Sequence, residues 1–406
     1  MNGVSLAPIG MLLLIACLIA MLTKRIGLPY IVGLLIAGFL IALLPGSPDL
    51  PLSRDLIFNI FLPPLVFEAA LQLDWKSFKD EFPITLTLAF LGVALATLVV
   101  TLGMHFAAGW SWLGSALFGV LISATDPVSV IAAFRQMNCQ PRLSMVVEAE
   151  SLLNDGVAAI GFAILSAIAV GMTPAPAFVI TDFLWTLGGG VAIGLGISAA
   201  ILAIVGRTDD PLVEITLTSI AAYGSFLAAE HFGSSGIISA LASGLLVSGI
   251  GWKRSITIEG RDRVRSAWEY FAFLANSFVF ILIGMSLAHQ PLHRLGLVAS
   301  LEAIILVLAS RALSIYPLAL LFAASRWRLS ASFQHVLFWG GLRGALALAL
   351  ALAVPASVPE RQSIILASFV VVAFSILVQG LTMPVLIKRL ALGSPEPRDP
   401  VAAPRG

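Results

Sequence analysis

The side chains best suited to chemistry cluster within one long apolar segment, residues 143 to 170. Glu150, Ser151, Asn154 and Asp155 fall there within six positions of one another. At about 3.6 residues per turn, Ser151 and Asp155 lie one turn apart on one helical stripe, and Glu150 and Asn154 form a second stripe beside it. Because hydroxyl, amide and carboxylate oxygens bind hard cations, whereas zinc and copper favour Cys or His, this face predicts a hard-cation site.

A second apolar segment, residues 111 to 134, contains a helix breaker beside an acid. Pro127 lacks a backbone donor and clashes with the preceding turn, so the run Thr125, Asp126, Pro127 predicts an interrupted helix with freed carbonyls. The positive N-terminal end of the second half would then lie beside Asp126. A kinked but continuous helix is the alternative, and the acid at the break favours a functional interruption.

A third segment, residues 333 to 354, places one arginine among three glycines. Gly340, Gly341 and Gly344 weaken the helix around Arg343 and allow another backbone to approach closely. Arg343 would then balance the negative ends of half-helices and the nearby acids. Alternatively, the glycines serve only helix packing and the Arg343 side chain extends to the membrane surface. The depth of position 343 disfavours this alternative.

A fourth segment, residues 56 to 72, carries Glu68 after Pro63 and Pro64. Two prolines ahead of an acid predict a locally irregular helix that offers Glu68 to a cavity. Glu68 would either bind the cation or line an entrance, and the sequence leaves both roles open.

The elements that must position these side chains are membrane-spanning helices. Of the 406 residues, 59% are hydrophobic and 11% are charged, against roughly 25% charged in soluble domains, and the mean hydropathy is +1.01. Apolar runs of about 20 residues match the thickness of a bilayer core. The thirteen predicted spans are 5–23, 29–44, 56–72, 84–105, 111–134, 143–170, 178–204, 212–231, 236–251, 268–288, 295–323, 333–354 and 361–387.

This composition excludes several classes of protein. A soluble enzyme would need more polar cover, a net charge of +1 offers no basic surface for nucleic acid, and two cysteines form no disulfide framework. No Lys or Arg precedes the first apolar run, so we expect that run to be retained rather than cleaved as a signal peptide.

The positions of Lys and Arg predict the orientation of the spans. Eighteen of the 23 fall after odd-numbered spans or in the C-terminal tail, and three fall on the opposite side. Positive residues collect in the cytoplasm, so the N-terminus is predicted outside and the C-terminus inside. Spans 5 and 12, which carry the two breaks, are an odd number of spans apart, as inverted repeats require. Residues 1–390 would form one transporter domain and 391–406 a short disordered tail.

Six of the acids in the predicted spans are candidates for buried charge, and Arg311 and Arg343 are the basic residues that oppose them; the six are Glu68, Asp126, Glu148, Glu150, Asp155 and Glu302. A charge inside a bilayer costs at least about 2.5 to 3.5 kcal/mol, so these acids need protons or metal cations as compensation. Glu148 and Glu302 lie near span ends, which favours a structural role for both. Asp155 lies near the midplane, where secondary transporters bind their substrates.

The stretches FLPPLVFEAALQLD, ATDPVSV, EAESLLNDG and GGLRGALALALAL together resemble the bacterial form of the sodium/proton exchanger family of monovalent cation:proton antiporters. The four motifs occur in the family's order and extend over nearly the whole chain. The resemblance implies thirteen helices in two inverted six-helix repeats, with spans 5 and 12 broken and crossing near the ion site, and a homodimer. Ala149 replaces the usual glycine of the third motif, a conservative change.

The resemblance also implies roles for individual residues. Asp155 would bind cation and proton alternately, beside Asn154. Ser151, Glu68 and the Thr125 carbonyl would complete the cation site, and Glu150 would hold it together through Asn154. Asp126 and Arg343 would supply the charges at the helix crossing. Arg311 would match a core arginine whose acid partner the sequence does not identify.

These features predict a secondary antiporter that exchanges a monovalent cation for H⁺ by alternating access. Na⁺ is the expected cation, with Li⁺ and K⁺ as alternatives. Burial near other acids lets protons and cations compete for one carboxylate, and because Asn154 stands where a second acid could, we predict electroneutral one-for-one exchange. We expect a role in pH homeostasis in the bacterial inner membrane, with lipid around the protein, no nucleic-acid partner, and no cofactor besides the transported Na⁺ and H⁺.

Two other classes of protein are alternatives. A passive cation channel usually repeats a filter or ring of charges across subunits, whereas these acids are clustered asymmetrically in one chain. An intramembrane serine protease could use the run 233–236 (Gly-Ser-Ser-Gly) with His231 or His335, but it would leave the buried acids unexplained.

Overall fold

The computed structural model describes residues 7–45, 50, 52–172 and 175–393. Regular structure in that part is helical, with one isolated backbone bridge between Cys139 and Gly393. Residues 394–406, most of the predicted tail, lie outside it. The fifteen helices of the described part are α1 (Ala7–Ile26), α2 (Tyr30–Ala42), α3 (Arg54–Gln72), α4 (Trp75–Phe106), α5 (Trp112–Leu121), α6 (Val128–Gln136), α7 (Pro141–Ala169), α8 (Pro176–Val205), α9 (Pro211–His231), α10 (Gly236–Gly251), α11 (Ile258–His289), α12 (Leu297–Leu321), α13 (Ala331–Trp339), α14 (Ala345–Leu352) and α15 (Arg361–Arg389).

The prediction of an all-helical membrane protein is confirmed. Within the described ranges, nine helices are long and apolar enough to cross a membrane, and α2, α5 and α10 are shorter apolar helices. α5 and α6 together occupy the predicted span 111–134, and α13 and α14 occupy the predicted span 333–354. A short non-helical linker separates the two helices of each pair, so both predicted interruptions are present.

Two helices begin earlier than the predicted starts of their apolar segments. α4 begins at Trp75 and α11 at Ile258, nine and ten residues before the predicted starts at 84 and 268. The Asp74 carboxylate accepts a hydrogen bond from Ser77 N at 2.9 Å and so caps α4 in a polar connection. Hydropathy detects only the length of helix inside hydrocarbon, so it misses the charged first turns of a longer helix.

The helices pack in two groups that meet around the interruptions. In the first group α2 packs along α11, α3 along α10, and α8 contacts α9 and α10. In the second, α4 packs against α5, α7 and α12, and α15 contacts α12 and α14. A Cβ atom at Gly38 or Gly284 would overlap the backbone of the facing helix, so α2 and α11 pack at backbone distance. The candidate site lies where the two groups meet.

Candidate ion-binding site

The two helix interruptions cross each other. The Asp126 backbone N–H donates to the Leu342 carbonyl at 2.8 Å, which joins the α5–α6 linker to the α13–α14 linker. A Cβ atom at Gly344 would overlap the Asp126 carboxylate. Because Gly344 has a φ of −135°, which any residue can adopt, the close approach and not the backbone conformation requires glycine here.

Charged side chains at the crossing face the ends of half-helices. Arg343 Nη1 donates to the carbonyls of Ser123 (2.7 Å) and Ala124 (3.1 Å), just beyond the C-terminal end of α5. Asp126 Oδ1 accepts a hydrogen bond from Val128 N, the first residue of α6, at 3.0 Å. Since a helix is partly negative at its C-terminal end and partly positive at its N-terminal end, each side chain meets the opposite charge. The structure thus brings Arg343 and Asp126 together at the crossing.

Arg311 joins the other interrupted pair to α7. Its Nη1 and Nη2 donate to Glu150 Oε1 and Oε2 at 2.8 and 2.9 Å, and its Nε donates to the Leu337 carbonyl at 3.2 Å. Gln379 Nε2 donates to the carbonyl of Trp339, the last residue of α13, at 3.0 Å. Glu150 is therefore the acid partner of Arg311 that the sequence does not identify.

Asn154 connects this ion pair to the α5–α6 linker. Its Nδ2 donates to Glu150 Oε1 (3.0 Å) and to Thr125 Oγ1 (2.7 Å), and its Oδ1 accepts from Thr125 N at 3.2 Å. The hydroxyls of Thr125 and Ser151 share a further hydrogen bond of 2.8 Å. All four of these residues are buried. The network fixes the Thr125 hydroxyl beside the Ser151 hydroxyl of α7.

Asp155 faces a cavity of about 530 Å³ between the two helix groups. Thr125, Asp126 and Ser151 line the same cavity, and the opposite wall comes from α3 and α11. Within the described residues, Asp155 Oδ1 is buried and has no hydrogen-bond partner. The site therefore combines one uncommitted carboxylate oxygen with two hydroxyl oxygens, a donor set suited to a hard monovalent cation.

Glu68 lines this cavity from α3, after a π-helical turn at Ile57–Phe61 that makes the helix irregular as its sequence predicts. Gln72 Nε2 donates to Glu68 Oε1 at 3.0 Å and to Glu269 Oε1 at 3.1 Å. Glu269 is exposed and also lines the cavity. Glu68 thus lies between the Asp155 end of the cavity and its exposed mouth.

Comparison with known proteins identifies the family. The sequence profile described as "Sodium/hydrogen exchanger, transmembrane" matches residues 11–389. The chain belongs to the sodium/hydrogen exchanger family. It is 39% identical over 371 residues to the Na(+)/H(+) antiporter ApNhaP of Aphanothece halophytica, a match that covers 90% of this chain and 70% of that protein. It is 37% identical over 392 residues to the low-affinity Na(+)/H(+) antiporter NhaS1 of Synechocystis sp., covering 94% and 74% of the two chains.

A solved structure shares the fold of this exchanger. The chain superimposes on the sodium proton antiporter MjNhaP1 from Methanocaldococcus jannaschii with a TM-score of 0.75 and 19% sequence identity. The match covers 95% of this chain and 98% of that one. The predicted family and the prediction of a transporter rather than an enzyme are confirmed by these findings.

Two polar residues that the sequence motifs do not single out support the exchanger's crossing. Ser375 Oγ accepts a hydrogen bond from Arg343 N at 3.0 Å, and Gln379 binds the end of α13 as described above. Both are buried, at 1% and 3% exposure, within a π-helical turn at Ser375–Gly380. Their spacing of four positions, which places both on one face of a helix, is the signal that could have found them.

Two residues of the alternative serine protease, Ser235 and His335, have other partners in this exchanger. Ser235 Oγ accepts a hydrogen bond from Ile238 N at 3.3 Å and caps α10. His335 Nδ1 is hydrogen-bonded to the Tyr316 hydroxyl at 2.8 Å. Neither His231 nor His335 bonds a serine hydroxyl in the described ranges, so no nucleophile and base are paired there. The part of the chain that the structure describes also holds no group of three or more His, Cys, Asp or Glu side chains arranged to bind a metal ion.

We expect Gly344→Ala to slow exchange at least about tenfold. The new methyl group must displace the Asp126 carboxylate or part the two linkers, and overpacking of this kind costs about 1 to 3 kcal/mol. Sodium-driven pH change in proteoliposomes and thermal unfolding in detergent measure the two effects. Gly196→Ala is the matched control, because nothing lies within 4 Å of a Cβ there. A normal exchange rate for Gly344→Ala would contradict the importance of the close crossing.

Proposed function

We propose that this Na⁺/H⁺ antiporter binds either one Na⁺ or one H⁺ at Asp155 and exchanges them one for one. The observation that carries the proposal is the buried Asp155 Oδ1, which has no hydrogen-bond partner in the described residues and belongs to a cavity-lining side chain. Three other acids near it are engaged: Asp126 accepts from Val128 N, Glu150 binds Arg311, and Glu68 accepts from Gln72. Of the acids beside the Thr125 and Ser151 hydroxyls, Asp155 is thus the one most available to a cation or a proton.

The remaining ligands in this proposal are oxygen atoms held next to Asp155. Ser151 and Thr125 would contribute to the Na⁺ site, with Glu68 completing it from the opposite wall. Glu150 and Asn154 would act by positioning the Thr125 hydroxyl. The names of the relatives support Na⁺ as the cation, and Li⁺ and K⁺ remain the alternatives that an ion panel resolves.

In an alternating-access cycle, a site whose two occupied states are both neutral couples the two ion fluxes. Asp155 with a proton is neutral, and Asp155 with Na⁺ is neutral, whereas the empty carboxylate is charged and costly to move through a low-dielectric barrier. Only occupied sites then cross, which couples the two fluxes. In the predicted orientation the cavity opens to the cytoplasm, since Arg135 and Glu269 lie at its mouth.

The proposed architecture is one transporter domain of residues 1–390, with thirteen spans in two inverted repeats. Its N-terminus would lie outside and its C-terminus in the cytoplasm. The protein would form a homodimer in the bacterial inner membrane. Na⁺ and H⁺ are substrates, so no cofactor is needed, and the exchange would serve pH homeostasis.

Electroneutral exchange predicts that voltage leaves the balance point unchanged. In proteoliposomes with a pH-sensitive dye and a clamped potassium diffusion potential, the sodium gradient that nulls proton movement should be the same at 0 and about 100 mV. If each cycle moved one net charge, about 2.3 kcal/mol per 100 mV would shift that gradient by about 50-fold. A shift of that size would contradict one-for-one exchange. The dye assay without an imposed potential or potassium ionophore, run with Na⁺, Li⁺ and K⁺, identifies the cation.

A further inference from the structure

The exchanger has a second cavity of about 410 Å³ on the same side as the mouth of the first. Ile131, Arg135 and Glu148 line both cavities. Asp80 lines only the second, and Asp155 only the first. The wall that contains Glu148 is therefore the boundary between the outer cavity and the cavity that reaches Asp155.

Glu148 lies on the same face of α7 as the proposed ion site. Glu148, Ser151 and Asp155 are spaced at i, i+3 and i+7, which places them along one helical stripe. All three line the first cavity. At about 1.5 Å per residue, Glu148 lies roughly 10 Å along the helix axis from Asp155. The stripe thus leads from the boundary between the cavities to the proposed carrier.

Glu148 differs from Glu150 and Glu81, two other half-buried or buried acids nearby, because it is not engaged. Glu150 is held by Arg311, and Glu81 by Arg142 at 2.7 Å. Within the described ranges, Glu148 makes no hydrogen bond or ion pair, although it is half-buried. A half-buried carboxylate without a partner is costly, and a passing cation relieves that cost.

We propose that Glu148 is a staging residue that transiently binds Na⁺ on its way between the vestibule and Asp155. Arg135 also lines both cavities and makes no ion pair in the described part. Its positive charge lowers the local cation concentration and so weakens the binding of Na⁺ at Glu148. This inference rests on the proposed function, because a staging residue needs a carrier site beyond it. The position of Glu148 near a span end favours a structural role. Its place in the wall that the two cavities share favours the staging role instead.

The test separates cation entry on the two faces of the membrane. Glu148→Gln should raise the apparent KM for Na⁺ about three- to tenfold in everted vesicles, where the cavity mouth faces the medium. KM in right-side-out vesicles should stay unchanged, and the maximal rate should stay within about twofold. Glu148→Asp, which keeps the charge, should lie closer to the wild type. Asp80→Asn is the matched control, because it removes the same charge from the outer cavity alone.

Two outcomes would overturn the staging role. One is an unchanged KM on the cavity side, and the other is a fall in maximal rate with equal KM effects on both faces, which a structural role predicts. Arg135→Gln keeps the proposal testable if Glu148→Gln does not fold, because it should lower KM on the cavity side about two- to fivefold. If the wild type shows no sodium-driven proton flux, the proposed function fails. If the wild type shows sodium-driven proton flux but neither variant changes the KM for Na⁺, only the staging role of Glu148 fails.

Discussion

Asp155→Asn will stop sodium-driven proton movement, lowering the initial rate at least about 100-fold. The amide keeps the shape of the side chain but has no charge to balance Na⁺ and no proton to exchange. Removing one partner of a charge pair in a low-dielectric site costs roughly 3 to 5 kcal/mol, and each 1.4 kcal/mol is about tenfold. The measurement is the initial rate of dye response in proteoliposomes that contain equal amounts of the wild type and the variant.

Glu302→Gln is the control for this loss. It also removes an acid from a helix, α12, but Glu302 is not among the residues that line the cavity. We expect its exchange rate to match the wild type.

A binding measurement distinguishes a lost carrier from a misfolded protein. The wild type should unfold at a higher temperature in NaCl than in choline chloride, because a ligand that binds only the folded state stabilises it. Asp155→Asn should keep its folded size in detergent and lose that sodium-dependent difference. An Asp155→Asn protein that still exchanges Na⁺ for H⁺ would remove Asp155 from the mechanism.

Arg311→Met will destabilise the exchanger strongly, by about 3 to 5 kcal/mol. It leaves the Glu150 carboxylate buried at 1% exposure without the guanidinium that bonds both of its oxygens. Thermal unfolding in detergent measures the effect as a lower Tm. Arg263→Ala is the control, because that arginine pairs with Glu259 at 2.6 Å in an exposed position, and such pairs contribute less than about 1 kcal/mol.

The double variant separates the structural and functional parts of this pair. Glu150→Leu combined with Arg311→Met removes both charges, so most of the lost stability should return. Exchange should nevertheless stay at least about tenfold below wild type, because Asn154 loses the acceptor that orients it toward Thr125. If exchange recovers together with Tm, the pair is only structural.

The sequence alone determined the features that depend on neighbouring residues. Apolar runs predict spanning helices, Pro127 predicts the break in span 5, and the glycines around Arg343 predict the break in span 12. The spacing of Ser151 and Asp155 predicts a shared stripe on one helix. Each of these features follows from a property of neighbouring residues: the length of an apolar run, the freedom of the backbone or the helical period. One sequence therefore suffices to infer them.

The tertiary structure decided which buried charges have partners and which do not. Glu150 and Asp155 lie in the same helix as similar acids, yet Glu150 receives Arg311 from 161 residues away and Asp155 Oδ1 receives no partner in the described residues. Likewise, Glu148 lies at the wall between two cavities, which its distance from a span end does not reveal. A buried carboxylate is governed by the groups packed against it, and those groups come from distant parts of the chain.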